Sequence, residues 1–594
     1  MKRKFIGLLA AAAIVAASFL LLPEAEAAQP ADWPAVEGNS FVLRGARVFD
    51  GEVLHEKADV LVRDGIVVAA SGKVASPDGT PELPADGYTL LPALIDAHTH
   101  NFGTARRDAL RFGVGTQIDM FSDVSALASA KRARESLEPA DQADMWSAGT
   151  LVTASGGHGT QFGVSIPTLD DAADAKAFVA ARIGEGSDFI KLILESGSAF
   201  GRDLPTLDAA TLSAAIEGAR TGGKLAVVHV STRADAETAV AAGADAFVHL
   251  FGDAEIDDAL IARIRERGMS VIPTLSVLES ISGRTSGLDD DPRVAPYLAP
   301  DQRDSLARSM SGEDGPAAVI ARAQRSTRAL FDAGVPILAG SDAPNPGTAH
   351  GASLHRELEL LVAAGLAPIE ALAAATSVPA RHFTLTDRGR IAPGLRADLM
   401  LVAGDPLADI TATREIVAIW KNGFRIERSR FDGEAPAAAT LDEPVLGTFD
   451  HGEDGWMPTA DRIQGGRSDA SQGAADGVLA VSGEIRSGSV WPWGGTIRTF
   501  GAQPFEPVDA SAYSVLSLRV RGDGGVLSVL FFAGEGGQAP PLTRPLERST
   551  GWQELEIPLD EVAGLDPAHL RAIAIVAGPD ERTFRFEIDS VVLR

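Results

Sequence analysis

The feature that most constrains the fold of this chain is a series of eight short apolar runs between residues 92 and 342. Ala-rich stretches with a helical period separate them, such as DAATLSAAIEGARTGG before the fifth run and TRADAETAVAAG after it. Strands that alternate with helices indicate β/α units around a parallel sheet. Eight units predict an α/β fold with a closed (β/α)8 TIM barrel, whose active site lies at the carboxyl ends of the strands. The runs are PALIDAH (92–98), GVGTQIDM (113–120), SAGTLVTA (147–154), SDFIKLIL (187–194), KLAVVHV (224–230), DAFVHLF (245–251), MSVIPTLS (269–276) and VPILAGSD (335–342).

The segments on both sides of these runs have a different pattern. Residues 40–70 alternate apolar and polar side chains around FDG and RDG turns, and a similar pattern returns after about residue 385. Alternation of this kind with Gly-containing turns is typical of strands and hairpins. We therefore predict one small composite β-sandwich from residues 39–92 and 383–431, flanking a barrel of residues 93–382.

The part of the chain after residue 431 predicts another domain, as expected because 594 residues are too many for one hydrophobic core. Residues 432–445 are rich in Ala and Pro, which indicates a linker. Residues 446–594 contain many short apolar segments and Gly-rich turns, with no helical pattern of note. They predict a separate all-β, jelly-roll-like sandwich.

The first 27 residues have the pattern of a signal peptide. Lys2, Arg3 and Lys4 precede an apolar stretch over residues 5–22, and AEA at 25–27 offers small residues for cleavage. An uncleaved membrane anchor is the alternative, since 18 apolar residues nearly span a bilayer. No later segment is apolar enough to cross a membrane. We expect a bacterial periplasmic or secreted protein that is not membrane-bound after cleavage.

Charge and cysteine content exclude several functions. A net charge of −28 disfavours binding to nucleic acid and to anionic lipid. The chain has no cysteine, so disulfides, thiolate metal sites and cysteine nucleophiles are excluded. Any metal ion would be held by His, Asp, Glu or a modified Lys.

Six ionisable or metal-binding side chains fall on the predicted barrel strands or at their ends: His98, His100, Lys191, His229, His249 and Asp342. The two residues of an H-x-H pair in a strand point to the same side. Each side chain alone is compatible with a structural role. Together, buried near one axis without partners, they would cost much free energy, and a divalent metal centre removes that cost.

These residues lie in motifs that resemble the amidohydrolase superfamily, in its branch of imidazolonepropionase-like and dipeptidase-like metal-dependent hydrolases. The resemblance covers roughly residues 40–430. The motifs are DAHTH (96–100), FIKL (189–192), VVHV (227–230), FVHL (247–250) and AGSDAP (339–344).

The resemblance implies a ligand set for two divalent metal ions, with zinc as the expected metal. His98, His100 and Asp342 would bind the more buried ion, and His229 and His249 the more exposed one. Lys191 would react with CO₂, and the resulting carbamate would bridge the two ions. Imidazolonepropionase itself resembles a one-metal enzyme that lacks this lysine, so Lys191 favours the two-metal, dipeptidase-like members.

The resemblance also implies a mechanism. A hydroxide that bridges the metals would be the nucleophile, because bound cations lower the pKa of water. Asp342 would move its proton to the leaving amine, and the ion held in part by His249 would polarise the carbonyl. We therefore predict cleavage of the amide C–N bond of a dipeptide or N-acyl amino acid. The alternatives are a lactone, ester or phosphotriester substrate on the same site, or a non-catalytic binding protein.

Two further histidines are candidate contacts for this small-molecule substrate. His158 lies in the loop TASGGHGTQFG after the third run, and in relatives the corresponding residue faces the rim of the barrel. His350 lies in NPGTAHGASLH after the eighth run. The alternative for each is a structural histidine in a loop.

The C-terminal part resembles the galactose-binding-like sandwich of complex-I-intermediate-associated proteins. Trp491 and Trp493 would either stack on a sugar or, as is more common, pack in a core. Carbohydrate or another protein is therefore a candidate partner of this part, and a homo-oligomer is left open. The segments that carry the resemblance are GWMPTADRIQGGRSDA (455–470), YSVLSLRVRGDG (513–524), GWQELEIPLDEV (551–562) and FRFEIDSVVL (584–593).

Overall fold

The structure is a computed structural model that describes most of the chain from Val36 onward. The predicted signal peptide, residues 1–27, and part of the predicted linker, residues 432–437 and 443, lie outside the described residues. The described residues are 36–160, 166–200, 203–311, 315–431, 438–442, 444–461, 468–486, 491–501, 505, 507–534 and 541–594.

The part before residue 431 contains both strands and helices. Its strands are β1 (Phe41–Phe49), β2 (Leu54–Arg63), β3 (Ile66–Ser71), β4 (Glu82–Pro84), β5 (Tyr88–Pro92), β6 (Leu94–Thr99), β7 (Val114–Asp119), β8 (Asp144–Ser147), β9 (Ile190–Leu194), β10 (Ala226–Val230), β11 (Ala246–Val248), β12 (Ser270–Ile272), β13 (Leu399–Ala403), β14 (Ile416–Lys421) and β15 (Phe424–Ile426). Its helices are α1 (Ala105–Arg111), α2 (Leu127–Glu135), α3 (Ala175–Glu185), α4 (Ala209–Thr221), α5 (Arg233–Ala242), α6 (Asp258–Glu266), α7 (Leu275–Ile281), α8 (Pro300–Leu306), α9 (Ala318–Asp332), α10 (Ala352–Ala363), α11 (Pro368–Ala374) and α12 (Ser377–His382).

The two flanks of this part share one sheet. Its eight strands run in the order β15-β14-β13-β5-β1-β2-β3, with β4 beside β1. The antiparallel pairing of β13 with β5, Leu399 opposite Pro92, joins segments about 300 residues apart in the sequence. The sheet therefore draws on both predicted flanks.

Between the flanks lie two parallel sheets, β6-β7-β8 and β9-β10-β11-β12. Single parallel bridges connect their edges through Val152 with Leu192, Val271 with Ile337, and Thr99 with Ala343. Apolar residues of the strands and of the surrounding helices form a large buried cluster. The predicted mixed α/β class is confirmed.

Two of the eight predicted strands differ from the prediction. The third run was placed at residues 147–154, but β8 ends at Ser147, because the chain turns at Gly149 with φ +61° and only Val152 bridges further on. The eighth run, residues 335–342, is not assigned as a strand in the described part of the chain. Its backbone hydrogen bonds go to β12 on one side and to β6 on the other. Leu338 N–H donates to Val271 O, and Ala97 N–H donates to Ala339 O.

The C-terminal part is all-β in its described residues, apart from short 3₁₀ turns, as predicted. Its two sheets, β16-β22-β27-β21-β18 extended by β24 and β25, and β19-β20-β28-β23-β26 with β17, enclose a common apolar cluster. The strands are β16 (Ala439–Thr440), β17 (Val445–Gly447), β18 (Met457–Ala460), β19 (Asp469–Ala475), β20 (Val478–Ile485), β21 (Gly494–Thr499), β22 (Val508–Asp509), β23 (Val515–Arg521), β24 (Leu527–Ala533), β25 (Leu542–Pro545), β26 (Gln553–Pro558), β27 (Leu570–Ala577) and β28 (Arg582–Leu593).

The two tryptophans of interest lie on the outer side of the first of these sheets. Trp493 is 1% exposed and belongs to a buried cluster with Ile497, Leu530 and Val576, and Trp491 packs against that cluster. This geometry favours packing over sugar stacking for Trp493. Within the described residues, no helix has the length and apolar character needed to span a bilayer.

Candidate metal centre

The six predicted side chains lie on or beside the strands of the two parallel sheets. His98 is in β6 and His100 follows it, Lys191 is in β9, and His229 is in β10. His249 comes directly after β11, and Asp342 ends the segment that bridges β12 and β6. Parallel strands point their carboxyl ends to one edge, which is why residues so far apart in sequence can meet.

The Asp342 carboxylate lies among three of the histidines. Its Oδ1 is 3.1 Å from His98 Nε2 and 3.2 Å from His100 Nε2, and its Oδ2 is 3.9 Å from His249 Nδ1. One potential ligand atom from each of His98, His249 and Asp342 falls within a group whose atoms are all within 4.8 Å of one another. These ligand atoms are therefore close enough to take part in one metal centre.

The imidazole rings continue as a chain of contacts across the centre. The ring centroids of His98 and His249 are 4.9 Å apart, and those of His249 and His229 are 4.6 Å apart. His158 extends the chain, with its centroid 5.0 Å from that of His229. This position is compatible with the predicted contact of His158 with the substrate, which stays a prediction.

Lys191 is buried in an unusual environment for an ammonium group. The residue is 2% exposed, and its Nζ has no hydrogen-bond partner among the residues that the structure describes. Burial lowers the pKa of Lys191 to about 7, against a weaker opposing effect of the Asp342 charge. A buried amine without a partner is costly unless it is neutral or chemically modified.

Burial also keeps the histidines neutral. It lowers the pKa of His98 and of His229 to about 3 each, and lowers the pKa of His249 well below its usual range. For Asp342 burial acts in the opposite direction, but the nearby imidazoles His98 and His249 hold its pKa well below the usual range. Neutral imidazoles around an ionised carboxylate are the donor set that a divalent cation takes, so these residues fit such an ion.

Hydrogen bonds distinguish the two nitrogens of two of the rings. His229 Nε2 lies 3.3 Å from Ser231 Oγ and 3.5 Å from Glu195 Oε2, so Nε2 is the nitrogen with acceptors and Nδ1 keeps its lone pair. His249 has the opposite arrangement, with Nδ1 at 2.7 Å from Thr274 Oγ1. Partners of this kind fix the tautomer of a metal-binding histidine.

His350 lies beside the His100 segment, and its contact with the substrate stays a prediction. It is 6% exposed, and its Nδ1 is 3.1 Å from Gln117 Nε2, the amide of a β7 residue. Burial lowers the pKa of His350 to about 3, and the His100 backbone takes part in a hydrogen bond with its ring. These contacts favour a role in supporting the His100 segment.

The sequence reasoning did not single out several residues that support the centre. Asp96 accepts hydrogen bonds from the backbone N–H of His98 at 3.2 Å and from Ser341 N and Oγ at 2.9 and 2.6 Å, which ties the two ligand-bearing segments together. Its position two residues before His98, on the same side of the strand, was a usable signal. The sequence around Glu195 and Thr274 does not indicate a supporting role, because these residues approach His229 and His249 only in the folded chain.

Comparisons with known proteins identify similar sequences. The sequence profile of the Amidohydrolase family matches residues 89–426, more than half of the chain. An imidazolonepropionase of Deinococcus deserti is 25% identical over 417 residues, which are 65% of this chain and 96% of that protein. A dihydroorotase of Citrifermentans bemidjiense is 37% identical over 62 residues. The match covers 10% of this chain and only 15% of the length of that relative.

Solved structures agree in fold. The crystal structure of a Xaa-Pro dipeptidase with bound methionine in its active site matches with a TM-score of 0.54 at 20% identity, covering 65% of this chain and all of that one. The crystal structure of a putative prolidase from Bifidobacterium longum gives a TM-score of 0.53 at 23% identity, over 67% of this chain and 97% of the other. Likeness at these identities establishes a common fold and no more.

Proposed function

The chain belongs to the amidohydrolase family, whose members are hydrolytic enzymes that act on carbon–nitrogen bonds, and from this premise we propose that it is a binuclear metal-dependent amide hydrolase. The observation that carries the proposal is the cluster of neutral imidazoles around Asp342, together with the buried Lys191, whose Nζ has no hydrogen-bond partner among the described residues. A one-metal site would leave the buried lysine without a function.

The ligands divide between the two ions as follows. His98, His100 and Asp342 would hold the more buried ion, and His229 and His249 the other, with zinc as the expected metal. When bound, the ions supply Lewis-acid activation of the carbonyl and of water. The contacts of His229 and His249 are compatible with metal binding, because one nitrogen of each ring has no hydrogen bond to the described residues.

Lys191 would join the two ligand groups as a carbamate. Its neutral amine would attack CO₂, so that an N–C bond forms, a C=O π bond of CO₂ breaks and one proton passes to solvent. The neutral amine would thus become an anion with two ligand oxygens. The burial that lowers its pKa to about 7 supports this step, because a neutral amine is required for it. The negative charge of the carbamate would then offset part of the positive charge of the two metal ions, which neutral histidines do not offset.

Asp342 would act as the proton-transfer group of the reaction. Its carboxylate is ionised, because the pKa is held low, and it lies at the middle of the ligand cluster. A carboxylate in that position can accept a proton from the attacking water and deliver it to the leaving nitrogen. His158, beside His229, is the candidate for contact with the substrate.

The proposed substrate is a dipeptide or an N-acyl amino acid. Lys191 supports the dipeptidase-like branch, and the fold match to a Xaa-Pro dipeptidase is compatible with it. We also propose that residues 93–382 form a closed (β/α)8 barrel, with a composite sandwich from 39–92 and 383–431. The chain is proposed to be exported through cleavage of residues 1–27, and 446–594 to be a galactose-binding-like module.

A substrate panel tests the proposal. The mature protein, loaded with zinc, is assayed against dipeptides, N-acyl amino acids, lactones, carboxylic esters and phosphotriesters. We expect the highest kcat/KM for one of the two amide classes. Asp342→Asn should abolish this activity. Asp332→Asn, at the exposed C-terminal end of α9, is the matched control. A preference for lactones, esters or phosphotriesters would contradict the amide substrate but keep the hydrolytic centre.

A further inference from the structure

We propose that Thr274 and Glu357 are positioning residues that fix the ring of His249 and thereby the affinity of the centre for its more exposed metal ion. This inference rests on the proposed binuclear function. Neither residue is among the predicted ligands. Both are fully buried, and they act on His249 through one turn at the end of β12.

The Thr274 hydroxyl assigns the tautomer of His249. Its Oγ1 is 2.7 Å from His249 Nδ1, and the same hydroxyl donates to the carbonyl oxygen of Pro273 at 2.9 Å. We infer that the single hydroxyl proton is directed to Pro273, which leaves the oxygen as an acceptor toward the imidazole. In this arrangement the proton of His249 lies on Nδ1, and Nε2 keeps the lone pair that a metal ion needs.

The backbone at this point is in a conformation that Thr rarely adopts. Thr274 has φ +48° and ψ +52°, in the left-handed region, and a β-branched residue is disfavoured there. His249 itself has φ +67°. Such conformations persist only where surrounding contacts hold them, and they concentrate at functional sites.

Glu357 supplies the contacts that hold the turn. Its side chain, on α10, accepts hydrogen bonds from the backbone N–H of Leu275 at 2.9 Å and of Ser276 at 2.7 Å, and from Ser276 Oγ at 2.8 Å. In the described part of the chain it forms no ion pair with any basic residue. Its bonding capacity is thus directed at the two residues that follow Thr274.

Glu357, Thr274 and His249 are connected by successive contacts, and substitutions can test each contact. Glu357 holds the backbone of residues 275 and 276, this backbone keeps Thr274 in its left-handed conformation, and the Thr274 hydroxyl orients His249. If the hydroxyl is lost, the imidazole can rotate or change tautomer, and Nε2 is no longer preorganised. Support of this kind for a ligand histidine typically changes metal affinity about 10–100-fold.

The test compares Thr274→Val, which removes the hydroxyl at nearly constant shape, with Thr274→Ser, which keeps it. Full-length mature protein is titrated with zinc in competition with a chromophoric chelator, and bound zinc per chain is counted after dialysis. We expect the weaker zinc site to lose about 10-fold or more in affinity in Thr274→Val and to be restored within about 3-fold in Thr274→Ser. Thr221→Val, at the exposed end of α4, is the matched control.

Glu357→Gln provides the second arm, because an amide cannot accept hydrogen bonds on both of its polar atoms. We expect a loss of zinc affinity in the same direction, with the stronger site less affected. Unchanged zinc affinity in folded Thr274→Val would overturn the inference, and so would a fall in melting temperature without any change in zinc binding. If the wild-type protein itself binds no zinc, the proposed function fails instead, so the two failures are distinguishable.

Discussion

At the scale of single residues, the chemistry of the centre depends most on Lys191. An ammonium group with no hydrogen-bond partner in the described structure, 2% exposed and close enough to Asp342 for their charges to interact, is not a stable resting state. The proposed carbamate would turn this amine into a metal ligand. Modification of Lys191 is thus the feature by which the proposed two-metal centre differs from a one-metal centre.

This leads to a prediction for Lys191. Protein prepared with ¹³C-labelled bicarbonate should give one carbamate carbon signal by ¹³C NMR, because the neutral buried amine reacts with CO₂. Lys191→Ala should lack that signal, whereas Lys176→Ala, on the exposed side of α3, should keep it. A wild-type spectrum without the signal in the zinc-loaded enzyme would contradict the carbamate.

The residues of the centre were predictable from sequence to different degrees. Six residues could be selected because each interrupts or ends an apolar strand pattern: His98, His100, Lys191, His229, His249 and Asp342. Supporting residues could not be selected in this way, because their partners are distant in sequence. Glu357, for example, contacts residues 81 and 82 positions away.

At the scale of elements, the ligand segments are held together by the close approach of two backbones. Gly340 lies so near to β6 that a Cβ at this position would be 2.9 Å from His98 Cβ and 2.7 Å from Ile272 Cγ2. The segment around Asp342 can therefore meet His98 only if residue 340 has no side chain. This contact lies between the first and the eighth of the predicted runs.

Gly340→Ala should separate these two segments. We expect a loss of about 1–3 kcal/mol in the free energy of unfolding, measured by urea denaturation, because the packed neighbours have to move. Bound metal per chain should fall as well. Gly184→Ala, in α3 where a Cβ meets nothing within 4 Å, is the control and should leave both quantities unchanged or raise stability slightly. Equal behaviour of the two variants would refute the packing argument.

Element positions were predictable where the apolar run and the strand coincide, as for β7, β9 and β10. The third and eighth runs were wrong as strands for a physical reason. An apolar run indicates that a segment is buried, and not that it is a strand. The turn at Gly149 and the residue Asp342, which has a left-handed φ of +55°, are buried but are not part of a β-ladder. Hydrophobicity alone does not distinguish these cases.

At the scale of the whole molecule, the protein has separate apolar cores. The largest cluster includes residues from Phe49 to Ile410, whereas another includes only residues from Leu446 to Leu593. The candidate centre lies among elements of the first. Metal binding should therefore stabilise one part of the chain and not the other.

Chelation should reveal this separation in a calorimetric scan. Removing the metal is expected to lower the melting temperature of the transition that belongs to the first core, since a ligand that binds only the folded state stabilises it. The transition of the C-terminal sandwich should not move, and readdition of zinc should reverse the effect. A uniform shift of all transitions would contradict two independently stabilised parts.

The most direct test of the account is the number of metal ions per chain in the purified mature protein, measured by elemental analysis. The account predicts close to two in the wild type and a loss of bound metal together with activity in Lys191→Ala. One ion per chain, retained in Lys191→Ala, would contradict the binuclear centre. No bound ion under metal-replete conditions would contradict the metal-dependent mechanism altogether.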